Sequence, residues 1–143
     1  MILTLEGIKD SAAWKGYHLP QYDIDAMSKA TKEAPAWIHF GSGNIFRAFL
    51  CNSAQELIEK GIMKTGIVAA ESHGTEIITE CFRPHDNLCV DVTLNGDGTT
   101  TKEVLGSVGE ALTTEFDFKR IREIFENPPP QTVSLPLLRR AML

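Results

Sequence analysis

The sequence lacks an apolar run of membrane-spanning length, a cluster of Lys or Arg, and any pair of cysteines at C-x-x-C spacing. The first absence argues against a spanning helix, which needs about 20 consecutive apolar residues. The second, together with 14 Lys and Arg against 19 Asp and Glu and a formal charge of −5, argues against nucleic acid or an anionic membrane surface as the main partner. The third leaves Cys51, Cys81 and Cys89 as reduced, mostly buried thiols, and no metal site is expected. The start Met1-Ile2-Leu3-Thr4-Leu5-Glu6 has neither the basic residues nor the long apolar core of a secretory signal, so the expected location is the cytoplasm. Internal repeats are absent, and the only low-complexity tract is Pro128-Pro129-Pro130.

What is present is the material of one globular domain. At 143 residues, with 43% hydrophobic and 23% charged side chains, the chain can bury a core. Its organising stretch is Trp37-Ile38-His39-Phe40-Gly41-Ser42-Gly43-Asn44-Ile45-Phe46-Arg47-Ala48. A short apolar run stops at two glycines and an amphipathic pattern begins at once, which reads as strand, tight turn, helix. Such a turn lets backbone approach a ligand closely and aims the unpaired N–H groups of the helix at it, usually at a phosphate.

Residues 1 to 35 read as a helical lead-in, with Asp10 capping a turn through Trp14 and Asp23 capping a helix over Ile24 to Glu33. Residues 36 to 143 read as the dinucleotide-binding domain. Its first strand runs from Ala36 to Phe40. The helix after the turn carries Phe46, Phe49, Leu50, Ser53, Ala54, Leu57 and Ile58 at the spacing of one buried face and closes at Lys60-Gly61. A second strand, Thr65 to Ala70, is apolar throughout, as in a parallel sheet covered on both sides.

Beyond it, Thr75 to Phe82 reads as a short helix with Ile77, Ile78, Cys81 and Phe82 on one side. Leu88 to Leu94 and Thr99 to Val108 read as an inserted hairpin around Asn95-Gly96-Asp97-Gly98. A helix from Asp117 to Phe125 follows, with Thr114 and Asp117 as its capping box and Phe118, Ile121, Ile124 and Phe125 turned inward. Gln131 to Leu135 is a further parallel strand. The fold class is therefore α/β, a Rossmann-type, doubly wound, mostly parallel sheet with an inserted β-hairpin.

Gly41 and Gly43 fill two places of a G-x-G-x-x-G fingerprint, and Phe46 stands in the third, where glycine normally permits close packing of helix on strand. Glu71 follows the second strand at the edge where such a sheet binds its ligand. Its carboxylate can accept both ribose hydroxyls of an adenosine and would repel a 2′-phosphate, which favours NAD over NADP. Arg47 sits in the first helical turn, where a cation opposes the helix dipole unless an anionic ligand offsets it. Asn44 can bond its own turn or donate to phosphate. His39 reads as a hydrogen-bonded core histidine, and His73 and His85 take no assignment.

These residues resemble the polyol-specific long-chain dehydrogenases, the family of mannitol 2-dehydrogenase and fructuronate (mannonate) reductase. The matching segments are Leu19-Pro20-Gln21-Tyr22-Asp23, His39 to Ala48, Gly66-Ile67-Val68-Ala69-Ala70-Glu71 and Pro84-His85-Asp86-Asn87-Leu88. The family tolerates an aromatic or histidine at the place of Phe46, followed by Arg-Ala.

The resemblance implies a domain that binds NAD through Gly41, Ser42, Gly43, Asn44, Ile45, Phe46, Arg47 and Glu71 and exchanges a hydride with a sugar acid or polyol. The family's helical C-terminal substrate domain, with its catalytic lysine and the asparagine and histidine beside it, has no match here. None of Lys60, Lys64, Lys102 or Lys119 fits that motif, so no catalytic residue is assigned.

From about residue 134 the tail leaves the family pattern. Leu135 to Leu143 can be encoded so that another frame reads Pro-Val-Thr-Glu-Lys-Gly-Tyr-Ala, and a frameshift that truncates the chain before its substrate domain is expected there. Two other classes compete with this reading. An S-adenosylmethionine-dependent methyltransferase also places G-x-G after its first strand and an acid after its second. A non-catalytic fragment would instead associate with itself through the face left uncovered.

Overall fold

A computed structural model gives the fold and describes residues 1–126 and 128–136. The lead-in holds one short 3₁₀ turn, Gly7–Lys9, and one helix, α1 (Ile24–Glu33). Asp10 accepts from Ala13 N at 3.1 Å and Asp23 from Ala26 N at 2.9 Å, so both expected caps are formed. Strand β1 (Trp37–Phe40) leads into the glycine turn. A wide, π-type turn over Phe46–Cys51 then runs directly into α2 (Asn52–Glu59). Gly61, at φ +69°, ends that helix with Ile62 N donating to Leu57 O at 2.9 Å, the reversed closing bond of a Schellman cap.

The remaining strands are β2 (Ile67–Glu71), β3 (Cys89–Leu94), β4 (Thr100–Leu105), β5 (Val108–Thr113) and β6 (Thr132–Ser134), with α3 (Phe118–Glu126) before the last. Four of them form a parallel sheet in the order β5-β2-β1-β6, while β3 and β4 pair antiparallel as a separate hairpin. This is the order 3-2-1-4 with which the doubly wound dinucleotide fold begins, and it reverses beside β1. Every residue of β2 is buried because both of its faces are covered. Ile67 and Ala69 pack with Phe46, Cys51, Ala54 and Phe82 on one side. Val68 and Ala70 pack with Ile38, Leu112, Ile121 and Ile124 on the other.

Several local expectations shift. Thr99 to Val108 is not one strand. Gly106 and Ser107 divide it, β4 completing the hairpin and β5 entering the parallel sheet. The π-type turn inserts an extra residue into the helical repeat, so the face that follows is rotated. Cys51, Ala54, Gln55 and Ile58 are buried while Phe49 and Ser53 are exposed. Cys81 is exposed, unlike Cys51 and Cys89.

In α3 only Ile121 and Ile124 are buried, and Phe118 and Phe125 lie outside. The capping residue is Thr113 rather than Thr114. Its Oγ1 accepts from Phe116 N at 3.1 Å, while its N donates to Asp117 Oδ2 at 2.8 Å. Residues 137–143, most of the tail expected to leave the family pattern, lie outside the described residues.

Candidate functional site

The turn after β1 is built by backbone and closed by Glu71. Gly41 N donates to Ala70 O at 2.8 Å, which carries the β1–β2 ladder one residue past the strand. The chain then turns at φ +108°, a conformation strained for any L side chain, and a Cβ at Gly41 would lie 3.3 Å from the Pro136 ring. Ser42 is fully buried, and its N–H and hydroxyl both donate to Glu71 Oε2, each at 2.8 Å. Gly43 opens the helix, its carbonyl accepting from Arg47 N at 3.1 Å. A Cβ on Gly43 would meet nothing within 4 Å, so this backbone stands open to a ligand. Asn44 and Ile45 follow in the first turn, both exposed.

Glu71 is the last residue of β2 and is buried. Its second oxygen, Oε1, accepts from Ser72 N at 2.9 Å and His73 N at 3.0 Å. Four donors therefore meet the four lone-pair positions of the carboxylate. Burial pushes its pKa up, but the bonds from Ser42, His73 and Ser72 together outweigh burial and hold it below the ordinary value. The acid stays ionised and the turn stays tied to the second strand.

Arg47 reaches back to Asn44 Oδ1 through Nη2, while its Nε is buried with no partner among the described residues. Phe46 is buried, and its ring lies flat on His39, centroids 4.6 Å apart at 5°. A ring's thickness thus separates helix and strand where a third glycine would let them touch. His39 Nδ1 is 2.8 Å from Ser134 Oγ, and Ser134 also accepts from Trp37 Nε1 at 2.7 Å. The parallel register that sets His39 against Ser134 makes this contact. Burial lowers the His39 pKa, and the nearby Glu71 charge only partly opposes it.

The strand-order reversal thus opens on a groove of about 640 Å³, floored by His39 and walled by the glycine turn, Phe46, Leu50, Leu135 and Pro136. A second cleft of about 650 Å³, between the lead-in, α2 and the hairpin, is more polar but lies away from this edge. Several of its polar groups are already bonded within the protein: Asn52 to Glu103, Gln21 N to Glu59, and Gln55 to Val104 O and Gly106 N. The groove at the strand ends is therefore the candidate site.

No protein-family profile matches the chain. It is 43% identical over 145 residues to the D-mannonate oxidoreductase of Thermotoga maritima, a match covering 98% of this chain and 27% of that protein. The chain is similar to the N-terminal part of the polyol-specific long-chain dehydrogenases. It spans about a quarter of the length of that curated relative.

Among solved structures, the chain superposes on a substrate-free D-sorbitol dehydrogenase with a TM-score of 0.76 at 26% identity, covering 94% of this chain and 26% of that one. It also superposes on the mannitol 2-dehydrogenase of Pseudomonas fluorescens, solved as a ternary complex with NAD and D-mannitol. There the TM-score is 0.79 at 20% identity, with 95% of this chain and 26% of that one covered.

The structure brings Gly41, Ser42, Gly43, Asn44, Ile45, Phe46, Arg47 and Glu71 to one edge of the sheet. Reading the sequence missed Ser134, which completes the floor with His39, and the use of the Ser42 hydroxyl as a tie to Glu71. Among the described residues no helix is long and apolar enough to cross a membrane.

Proposed function

We propose that this chain is the dinucleotide-holding part of an NAD-dependent oxidoreductase that moves a hydride between NAD(H) and a sugar acid or polyol of the fructuronate/mannonate or fructose/mannitol type. The observation that carries the proposal is the ionised Glu71 bonded to Ser42, beside the glycine turn where the strand order reverses. A carboxylate there suits ribose hydroxyls and repels a 2′-phosphate. A ribose hydroxyl would take the place of the Ser72 or His73 N–H on Glu71. The partnerless Nε of Arg47, the open backbone at Gly43 and the helix start beside them fit a pyrophosphate.

NAD, when bound, supplies the hydride carrier; the residues here hold and orient it. In this reading residues 1–35 brace the sheet, 36–143 form the cofactor unit, and the protein works in the cytoplasm. No residue of this chain is assigned to the proton transfer. Equilibrium titrations of the chain with NADH, NADPH and S-adenosylmethionine test the proposal. NADH should bind, weakly, and more tightly than the other two; preferential binding of S-adenosylmethionine would overturn it. No NADH oxidation is expected from this polypeptide alone with fructuronate or fructose.

A second reading, self-association through the same edge, is favoured by Ile45, Phe49 and Leu135, which are 70%, 68% and 58% exposed around the groove. A monomeric mass by light scattering would remove it.

A further inference from the structure

Among the described residues, the floor of the groove holds a polar side chain, His39, with an unspent hydrogen. An indole nitrogen can only donate, so the bond from Trp37 uses Ser134 Oγ as an acceptor. Among the described residues, the proton of that hydroxyl then has one partner within reach, His39 Nδ1 at 2.8 Å. An imidazole that accepts at Nδ1 carries its own proton at Nε2. No acceptor meets Nε2 among the described residues, and the atom lies under the turn, 4.0 Å from the place of a Cβ on Gly41. Stacking on Phe46 and the bond to Ser134 fix the ring in that pose.

The two ends of the site differ in chemistry. Arg47 and the helix start are cationic and suited to an anion. The groove beside His39 is walled by Phe46, Leu50, Leu135 and Pro136, and no cation lines it among the described residues. A flat, uncharged ring with one hydrogen-bond acceptor fits there; a phosphate does not.

We propose that the Trp37–Ser134–His39 chain fixes His39 as an Nε2–H donor to the carboxamide oxygen of the nicotinamide ring, so that His39 positions the redox end of the dinucleotide. This rests on the dinucleotide reading above and adds which end of the ligand lies in the groove and what holds it. Burial, which lowers the pKa of the ring, supports it by keeping His39 a neutral donor near pH 7.

The test has two arms. In the free wild-type protein, nitrogen-15 NMR of the imidazoles should show His39 protonated at Nε2 only; protonation at Nδ1 overturns the proposal whatever binds. In the second arm, NADH and ADP-ribose, which lacks the nicotinamide ring, are titrated into wild type, His39→Phe and His39→Gln. The Phe variant should lose about tenfold in NADH affinity, the scale of one hydrogen bond. Its ADP-ribose affinity should stay within about twofold, and Gln, with an amide N–H near the Nε2 position, should recover most of the loss. Equal losses for both ligands, or none, overturn the assignment of His39 while leaving the dinucleotide reading intact. Failure of wild type to bind either ligand sinks both.

Discussion

Glu71 clamps Ser42. A single carboxylate oxygen accepts both the backbone N–H and the hydroxyl of a fully buried serine, each at 2.8 Å, across 29 residues of chain. The bond fixes the glycine turn against the end of the second strand, so the anion that is proposed to read the ribose also shapes the loop proposed to hold the pyrophosphate.

Removing that anion should be felt in stability. Glu71→Ala leaves two buried donors on Ser42 without an acceptor, an expected loss of about 2–4 kcal/mol, against about 1 kcal/mol for Glu71→Gln. The folded pKa of Glu71 lies below its ordinary value of 4.5. Its stabilisation is therefore full above that value and is lost as the pH falls through the lower, folded value. Urea midpoints measured across this window should fall more steeply for wild type than for Glu71→Gln.

Gly43 separates binding from folding. A methyl there meets nothing within 4 Å, so Gly43→Ala should stay within about 1 kcal/mol of wild type in urea, a cap preference being the main loss. The methyl would stand where the pyrophosphate is expected, and NADH affinity should drop about tenfold or more, a loss worth about 1.4 kcal/mol. Gly41→Ala, at φ +108° and 3.3 Å from Pro136, should lose both stability and binding.

The strand, turn and helix from Trp37 onward were legible because their signals are local: apolar period, two glycines and a cap. The Rossmann-type sheet and the inserted hairpin were legible for the same reason. The break at Gly106-Ser107 was not, since Thr99 to Val108 reads as one continuous run and only pairing assigns its halves to different sheets. Phe49 and Ser53 were misplaced because a π-type turn changes the helical phase without a marker in the sequence. The His39–Ser134 contact joins residues 95 apart and exists only through the parallel register of β1 and β6. The Glu71 clamp is half legible: an acid after the second strand points to a ligand, while its tie to Ser42 joins residues 29 apart and arises only in the folded chain.

His39 should make the fold acid-sensitive. Its folded pKa lies below the ordinary 6.5 because burial disfavours the charged ring. A base with a lowered pKa contributes fully above its unfolded value, and stability falls as the pH drops from about 6.5 toward the folded value. NMR titration of the imidazole should show the depressed pKa, and His39→Phe should flatten this part of the stability curve.

Gly109 of β5 packs directly under Thr31 of α1. A Cβ there would lie 2.4 Å from Thr31 Oγ1 and 2.5 Å from its Cβ. Thr31 cannot yield easily, since its hydroxyl donates to Met27 O at 2.7 Å and accepts from Gly66 N at 2.8 Å. Gly109→Ala should cost about 1–3 kcal/mol, read from thermal or urea unfolding.

Thiol chemistry checks the packing of the π-type turn on the hairpin. Cys81 is exposed, while Cys51 and Cys89 are buried. Ellman's reagent should modify Cys81 alone in the native protein and all three cysteines after unfolding.

In the proposed reading the glycine turn and Glu71 together hold a dinucleotide. Its most direct test is an amide-resolved NMR titration of the wild-type chain with NADH. Shifts should be confined to Gly41 through Arg47, to Glu71, Ser72 and His73, and to the groove at His39 and Ser134. Saturating NADH that leaves those amides unmoved, or that moves instead the cleft around Asn52 and Glu103, would contradict it.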